Sequence, residues 1–119
     1  MPNYSEKIHA LSAEIPGAIS VLLVDAESGM LISSIGSKVN PEVIGAGMSA
    51  FASAFNAVLA EMGNGAINET VFTVGSQFHA MHRVTAHPSI YLMAIVDSRK
   101  TNLTTVRAGV QRAAASITL

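Results

Sequence analysis

The sequence predicts a three-layer α-β-α sandwich, with elements in the order α-β-β-α-β-β-β-α on a five-stranded, mainly antiparallel sheet. Three observations predict it. Stretches 18–25 and 90–96 are too continuously apolar for strands with one wet face, so the sheet needs cover on both sides. Residues 40–62 form one long helical pattern with almost no charge. Shorter amphipathic patterns near either end of the chain supply two helices for the opposite face. At 119 residues, 1–119 reads as one domain.

Tyr4, Ile8, Leu11 and Ile15 recur at helical spacing, and Pro16-Gly17 ends that helix. In the first strand, 18–25, Ile19, Val21, Leu22, Leu23 and Val24 leave no polar alternation. Ala26-Glu27-Ser28-Gly29 is turn chemistry, with Gly29 free to take positive φ, and a second strand over 30–35 completes a hairpin. Gly36-Ser37-Lys38-Val39 then leads into the central helix. Asn40 is its N-cap, Pro41 its first residue and Glu42 an acid complementing the helix dipole, while Gly63 and Gly65 around Asn64 stop it. A strand over Glu69–Val74 alternates Thr70, Phe72 and Val74 with Val71 and Thr73. Gly75-Ser76-Gln77 turns the chain into a strand over 78–84, and residues 85–89, with His87-Pro88, turn it again into 90–96. Leu103, Val106, Val110, Ala113 or Ala114, and Ile117 form the last helix, capped through Thr101-Asn102.

The central helix carries two apolar stripes. Ile44, Met48, Phe51, Phe55, Val58, Leu59 and Met62 are large and are expected to cover the domain's own sheet. Val43, Gly47, Ala50, Ala54 and Ala57 lie about 100° around the helix from them and are nearly all Gly or Ala. No residue from Val43 to Ala60 is charged, and Glu42, Ser49, Ser53 and Asn56 make only a narrow polar strip. A helix with so little polar surface is buried on more than one side. A small chain seldom encloses a helix twice over, so the smooth stripe is read as a subunit interface. A membrane span is the competing reading of such a run. Gly, Ser and Asn scattered along it, and the lack of a basic flank, argue against one.

Composition points the same way. Charged residues are 13% of the chain, against about 25% in ordinary globular proteins, so a partner is needed to cover apolar surface. Seven basic and eight acidic residues leave no cationic surplus for nucleic acid. Without cysteine there is no disulfide framework, thiolate zinc site or thiol nucleophile. Residues 1–15 lack a basic segment followed by an apolar one, and the chain is expected to be cytoplasmic.

No motif carries chemistry, and no catalytic, cofactor or metal site is expected. There is no P-loop. His79 and His82 sit three apart on a strand and point to opposite faces, with His87 further on, so they do not converge on a metal. Asp25 and Asp97 stand at strand ends as turn residues, and no serine sits in a nucleophile elbow. The central helix has no arginine to offer a neighbouring active site; Arg83, Arg99, Arg107 and Arg112 all lie elsewhere.

The chain resembles the Roadblock/LC7 family of the longin-like and profilin-like folds over nearly its whole length. The resemblance is carried by Ile15-Pro16-Gly17-Ala18 leading into Val21-Leu22-Leu23-Val24-Asp25, by Ser28-Gly29-Met30-Leu31-Ile32, and by the small-residue-rich central helix. Tyr91-Leu92-Met93-Ala94-Ile95-Val96, and Asn102-Leu103 with Val106-Arg107, continue it. It implies a dimer in which central helices pack side by side and the following strand pairs with its mate. The expected interface is thus Val43, Gly47, Ala50, Ala54, Ala57 and Glu61 with Thr70, Val71, Phe72, Thr73 and Val74. Glu42, Ser49, Ser53 and Asn56 are assigned to partner binding. Members of the family serve as adaptors, including on dynein, and as platforms or activators for small Ras-like GTPases, including in bacterial gliding and polarity. The resemblance therefore implies a non-catalytic homodimeric regulator or scaffold for a small Ras-like GTPase, without cofactor. The alternative is a structural adaptor assembling larger complexes, with another scaffold protein as partner and no effect on hydrolysis. A small-molecule sensor ranks below both, because mainly Ala and Met would line its cavity.

Overall fold

The two continuously apolar strands lie side by side at the centre of the sheet, where both of their faces are covered. The computed structural model describes residues 1–36 and 39–119. Its elements are α1 (Tyr4–Glu14), β1 (Ala18–Asp25), β2 (Leu31–Gly36), α2 (Pro41–Met62), β3 (Glu69–Val74), β4 (Gln77–Val84), β5 (His87–Asp97) and α3 (Leu103–Ser116). All strand pairs are antiparallel, in the order β2-β1-β5-β4-β3, so β2 and β3 are the edges.

Period-two alternation divides the core. Val21 and Leu23 of β1, with Leu92, Ala94 and Val96 of β5, pack under Ile8 and Leu11 of α1 and Val106, Val110 and Ala114 of α3. Leu22 and Val24, with Tyr91, Met93 and Ile95, face the other way, under α2. The predicted layering is therefore present.

Both predicted helix caps form as the residue types dictate. Asn40 Oδ1 accepts from the N–H groups of Glu42 (3.1 Å) and Val43 (3.4 Å), and Gly63 closes α2 in the left-handed conformation at φ 74°. Asn102 Oδ1 accepts from Thr105 N–H at 2.9 Å at the start of α3.

Three strand starts differ from expectation, and β2 and β5 each run one residue further, to Gly36 and Asp97. β2 starts at Leu31, because the Met30 carbonyl is used to close the turn onto Asp25 N–H, at 2.9 Å. β4 starts at Gln77, since Gly75 and Ser76 alone make the turn. β5 starts three residues early, at His87, and contains Pro88. Proline is tolerated there because pairing with β1 ends at Ile90 and the β4 register is already broken between Arg83 and Val84. Of the connector expected to lead into the central helix, Ser37 and Lys38 lie outside the described residues.

The face that α2 lays on the sheet also differs from the one expected. Gly45, Ser49 and Ala52 are its buried residues. A Cβ on Gly45 would stand 3.0 Å from Val24 Cγ1, so the missing side chain lets the helix come down close to β1 and β2. Ile44, Met48, Phe51 and Leu59 then splay around this line onto the strands beneath. Phe55, Val58 and Met62, expected on the sheet, are exposed at 46%, 50% and 63%. By length and composition alone α2 is apolar enough to cross a membrane, but here it lies on the sheet with its small-residue face down.

Candidate functional site

The side of α2 turned away from the sheet, together with the free edge of β3, is where the expected interface residues fall. At about 100° per residue, Val43, Gly47, Ala50, Ala54, Ala57 and Glu61 point away from the Gly45–Ser49–Ala52 line, and each is exposed. Among the described residues, nothing beyond the helix itself lies within 4 Å of where a Cβ on Gly47 would stand. The ridge is smooth because its residues are small. It is bordered on the β3 side by Phe55, Val58 and Met62, which helical phase alone placed on the sheet.

On β3, Thr70, Phe72 and Val74 point to the α2 side, and Glu69, Val71 and Thr73 to the α3 side. Phe72 meets Phe51 edge to face, with ring centroids 5.2 Å apart, and Phe51 stacks on Phe55 at 5.9 Å. Val71 packs on the core beneath α1 and α3. Glu69 pairs with Arg107 of α3, with Arg107 Nη2 donating to Oε2 at 3.1 Å. That hydrogen bond, more than charge alone, holds the Glu69 carboxyl below its ordinary pKa. Between helix and strand, Phe51, Phe55, Leu59, Ile67, Glu69 and Thr70 line an apolar cleft of about 200 Å³.

The polar strip assigned to partner binding does not hold together. Glu42 and Ser53 are exposed, but Ser49 is 3% exposed and its Oγ donates to the Asp25 carbonyl at 3.4 Å. Asn56 is half-buried. Its Nδ2 donates to the Tyr91 hydroxyl at 3.1 Å and its Oδ1 accepts from Ile67 N–H at 2.8 Å, while the Tyr91 hydroxyl donates to the Ile67 carbonyl at 3.0 Å. Ser49 and Asn56 are thus fastenings between α2 and the sheet, because the close approach at Gly45 rotates them inward. The signal for this was the spacing of Gly45, Ser49 and Ala52, a second small-residue line.

The remaining titratable groups are engaged in turns or stand apart. Asp25 Oδ1 accepts from Glu27 N–H at 2.9 Å. Asp97 accepts from both the side chain and backbone N–H of Arg99, which lowers its pKa to about 2. Arg83 donates to Asn68 Oδ1 at 2.7 Å, and Arg112 pairs with Glu14 of α1. Among the described residues no buried side-chain nitrogen or oxygen lacks a partner, and no three His, Cys, Asp or Glu side chains group as a metal site.

His79 and His82 do point to opposite faces, following Phe72 and Glu69, their cross-strand neighbours. Burial lowers the pKa of His79, whose Nε2 lies 2.8 Å from Gln77 Oε1. The folded state disfavours the protonated ring, so His79 contributes stability that is complete above the ordinary value of 6.5 and is lost as the pH falls toward its lowered folded value. Urea midpoints taken through that window are expected to fall with pH, and His79→Gln to flatten the slope.

Solved structures share this architecture. MglB of Myxococcus xanthus superposes with a TM-score of 0.82 at 22% identity, over 94% of this chain and 89% of that one. A structure of MglB with a tetrameric arrangement matches with a TM-score of 0.81 at 20% identity, over 96% of this chain and 84% of that one. A Roadblock/LC7 domain from Streptomyces avermitilis matches with a TM-score of 0.77 at 16% identity, over 93% and 91% of the two chains. No protein-family model matches the sequence, and no curated protein does.

Proposed function

We propose that this chain, whose fold is that of the Roadblock/LC7 domain, is a non-catalytic scaffold that pairs with a second copy through the outer side of α2 and binds a small Ras-like GTPase as that dimer. One observation carries the reading: a long, almost uncharged helix face, exposed in the isolated chain, runs beside an open strand edge. Val43, Phe55, Val58 and Met62 are all at least 46% exposed on that helix, and large apolar side chains gathered on one exposed face mark an interaction surface. A protein of the same architecture, MglB, is seen in a structure with a tetrameric arrangement.

A second reading, an adaptor without effect on hydrolysis, is favoured by the placement of charge. The α2 face carries Glu42 and Glu61, while Arg107 and Arg112 stand on α3, across the sheet, and Arg99 is bound to Asp97. Any stimulation of hydrolysis would then work by repositioning the GTPase's own groups, with no arginine donated from α2.

The test mixes the purified protein with purified Ras-like GTPases of its own organism, loaded with GDP or a non-hydrolysable GTP analogue, and follows co-elution and single-turnover hydrolysis. Co-elution in one nucleotide state is the expected result. Binding indifferent to nucleotide, with unchanged turnover, favours the adaptor. Failure of every GTPase to bind in either state refutes the GTPase reading.

A further inference from the structure

We infer that Asn64 is a site of chemical modification: in the folded chain its side-chain amide closes onto the Gly65 nitrogen, loses ammonia and is hydrolysed to aspartyl and isoaspartyl forms.

Such a reaction needs an uncommitted asparagine side chain, an unbonded backbone N–H on the next residue, and room for the two to meet. The fold withholds the first of these from the other asparagines. Asn3 donates from Nδ2 to the Ser116 carbonyl and ties the chain ends together, while Asn40 and Asn102 cap α2 and α3. Asn56 fastens α2 to Tyr91 and Ile67, and Asn68 Oδ1 accepts from Arg83 Nη2 at 2.7 Å. Asn64 is exposed, and among the described residues its side chain has no hydrogen-bond partner.

The backbone around Asn64 is held on one side only. Its own N–H donates to the Leu59 carbonyl at 3.1 Å and the Gly63 N–H to the Ala60 carbonyl at 3.2 Å, which together close α2. On the other side, the Gly65 N–H makes no backbone hydrogen bond among the described residues. Gly65 stands at φ 81°. Among the described residues, nothing beyond its chain neighbours lies within 4 Å of where its Cβ would stand. Without a Cβ, the Gly65 nitrogen can approach the side-chain carbonyl carbon of Asn64 closely.

In the step itself the Gly65 nitrogen gives its proton to water and bonds to that carbon. The bond from the carbon to the side-chain nitrogen breaks, the nitrogen leaves as ammonia, and a succinimide ring is left. One water then opens the ring. Attack at the former side-chain carbonyl gives aspartate, and attack at the main-chain carbonyl gives isoaspartate, with the chain now running through the side chain. Water enters, ammonia leaves, and nothing is oxidised or reduced. Either product sets a carboxylate just past the carbonyl end of α2, close to Glu61, where the helix dipole opposes it. The modified chain is therefore less stable than the parent.

The test incubates the purified chain at mildly alkaline pH, folded and, in parallel, unfolded in guanidinium chloride. Peptide mass spectrometry follows each asparagine, and labelling by an isoaspartyl methyltransferase marks isoaspartate. In the folded chain, conversion at Asn64 alone is expected, with isoaspartate among the products and a rate of the same order as in guanidinium chloride. Asn64→Gln is expected to abolish it, and Asn64→Asp to lower the urea midpoint at fixed protein concentration. An Asn64 that reacts in guanidinium chloride but stays intact in the folded chain overturns the inference, because the fold then protects it. Equal conversion of Asn68 in the folded chain overturns the protection assigned to side-chain hydrogen bonds. Conversion without any isoaspartate overturns the ring-closing route. A midpoint for Asn64→Asp equal to the parent's overturns the effect on α2.

Discussion

Replacing Tyr91 with alanine is expected to destabilise the fold by about 3–5 kcal/mol, the usual cost of deleting a buried aromatic side chain. Tyr91 is 1% exposed and belongs to the core beneath α2. Its hydroxyl also stands in a closed set of hydrogen bonds with Asn56 and both backbone groups of Ile67, joining α2, β5 and the approach to β3. Alanine removes the ring and leaves the Ile67 carbonyl with one donor fewer. Tyr91→Phe keeps the ring and should cost about 1–3 kcal/mol, the desolvation of groups left unpaired. The measurement is the urea midpoint at one fixed protein concentration, since an associating chain gains stability by mass action. Equal midpoints for Tyr91→Phe and the parent would show that the hydroxyl network adds nothing beyond the ring. A small shift for Tyr91→Ala would remove Tyr91 from the core.

Ala54→Glu is expected to leave the folded chain intact and halve the particle mass. Ala54 points away from the sheet and is exposed in the isolated chain, so a carboxylate there should change folding stability by no more than about 0.5 kcal/mol. In a covered interface the same group is a buried charge without a partner, close to its symmetry mate. Uncompensated buried charges cost about 3–5 kcal/mol, a loss of roughly a hundredfold or more in affinity. Light scattering or sedimentation reads the mass, and circular dichroism checks the fold. A variant that keeps the parent's mass would move the interface away from this ridge.

Much of the framework was legible in the residues because its causes are local. Asn40-Pro41 and Gly63 bracket α2 by capping chemistry, and β1 and β3 begin and end where their apolar and β-branched runs do. β5 was read too short because Pro88 argues for a turn, and only pairing with β4 and the broken register near Arg83 show that a proline fits there. Ser49 and Asn56 were misplaced for a related reason. Polarity suggested solvent, whereas each serves a backbone group that only the folded chain brings near: the Asp25 carbonyl for Ser49 and Ile67 N–H for Asn56.

What the residues settled unaided was the set of elements, their order, and the surplus of apolar surface on one helix uncharged from Val43 to Ala60. Periodicity, capping and charge content are properties of neighbouring residues and survive without a third dimension. The tertiary structure decided which side of that helix goes down. Gly45, Ser49 and Ala52 won the sheet because a small-residue line lets a helix approach Val24 and Leu31 closely, turning Phe55, Val58 and Met62 outward. That choice depends on contacts between segments distant in the chain, and no local pattern encodes the distance of closest approach.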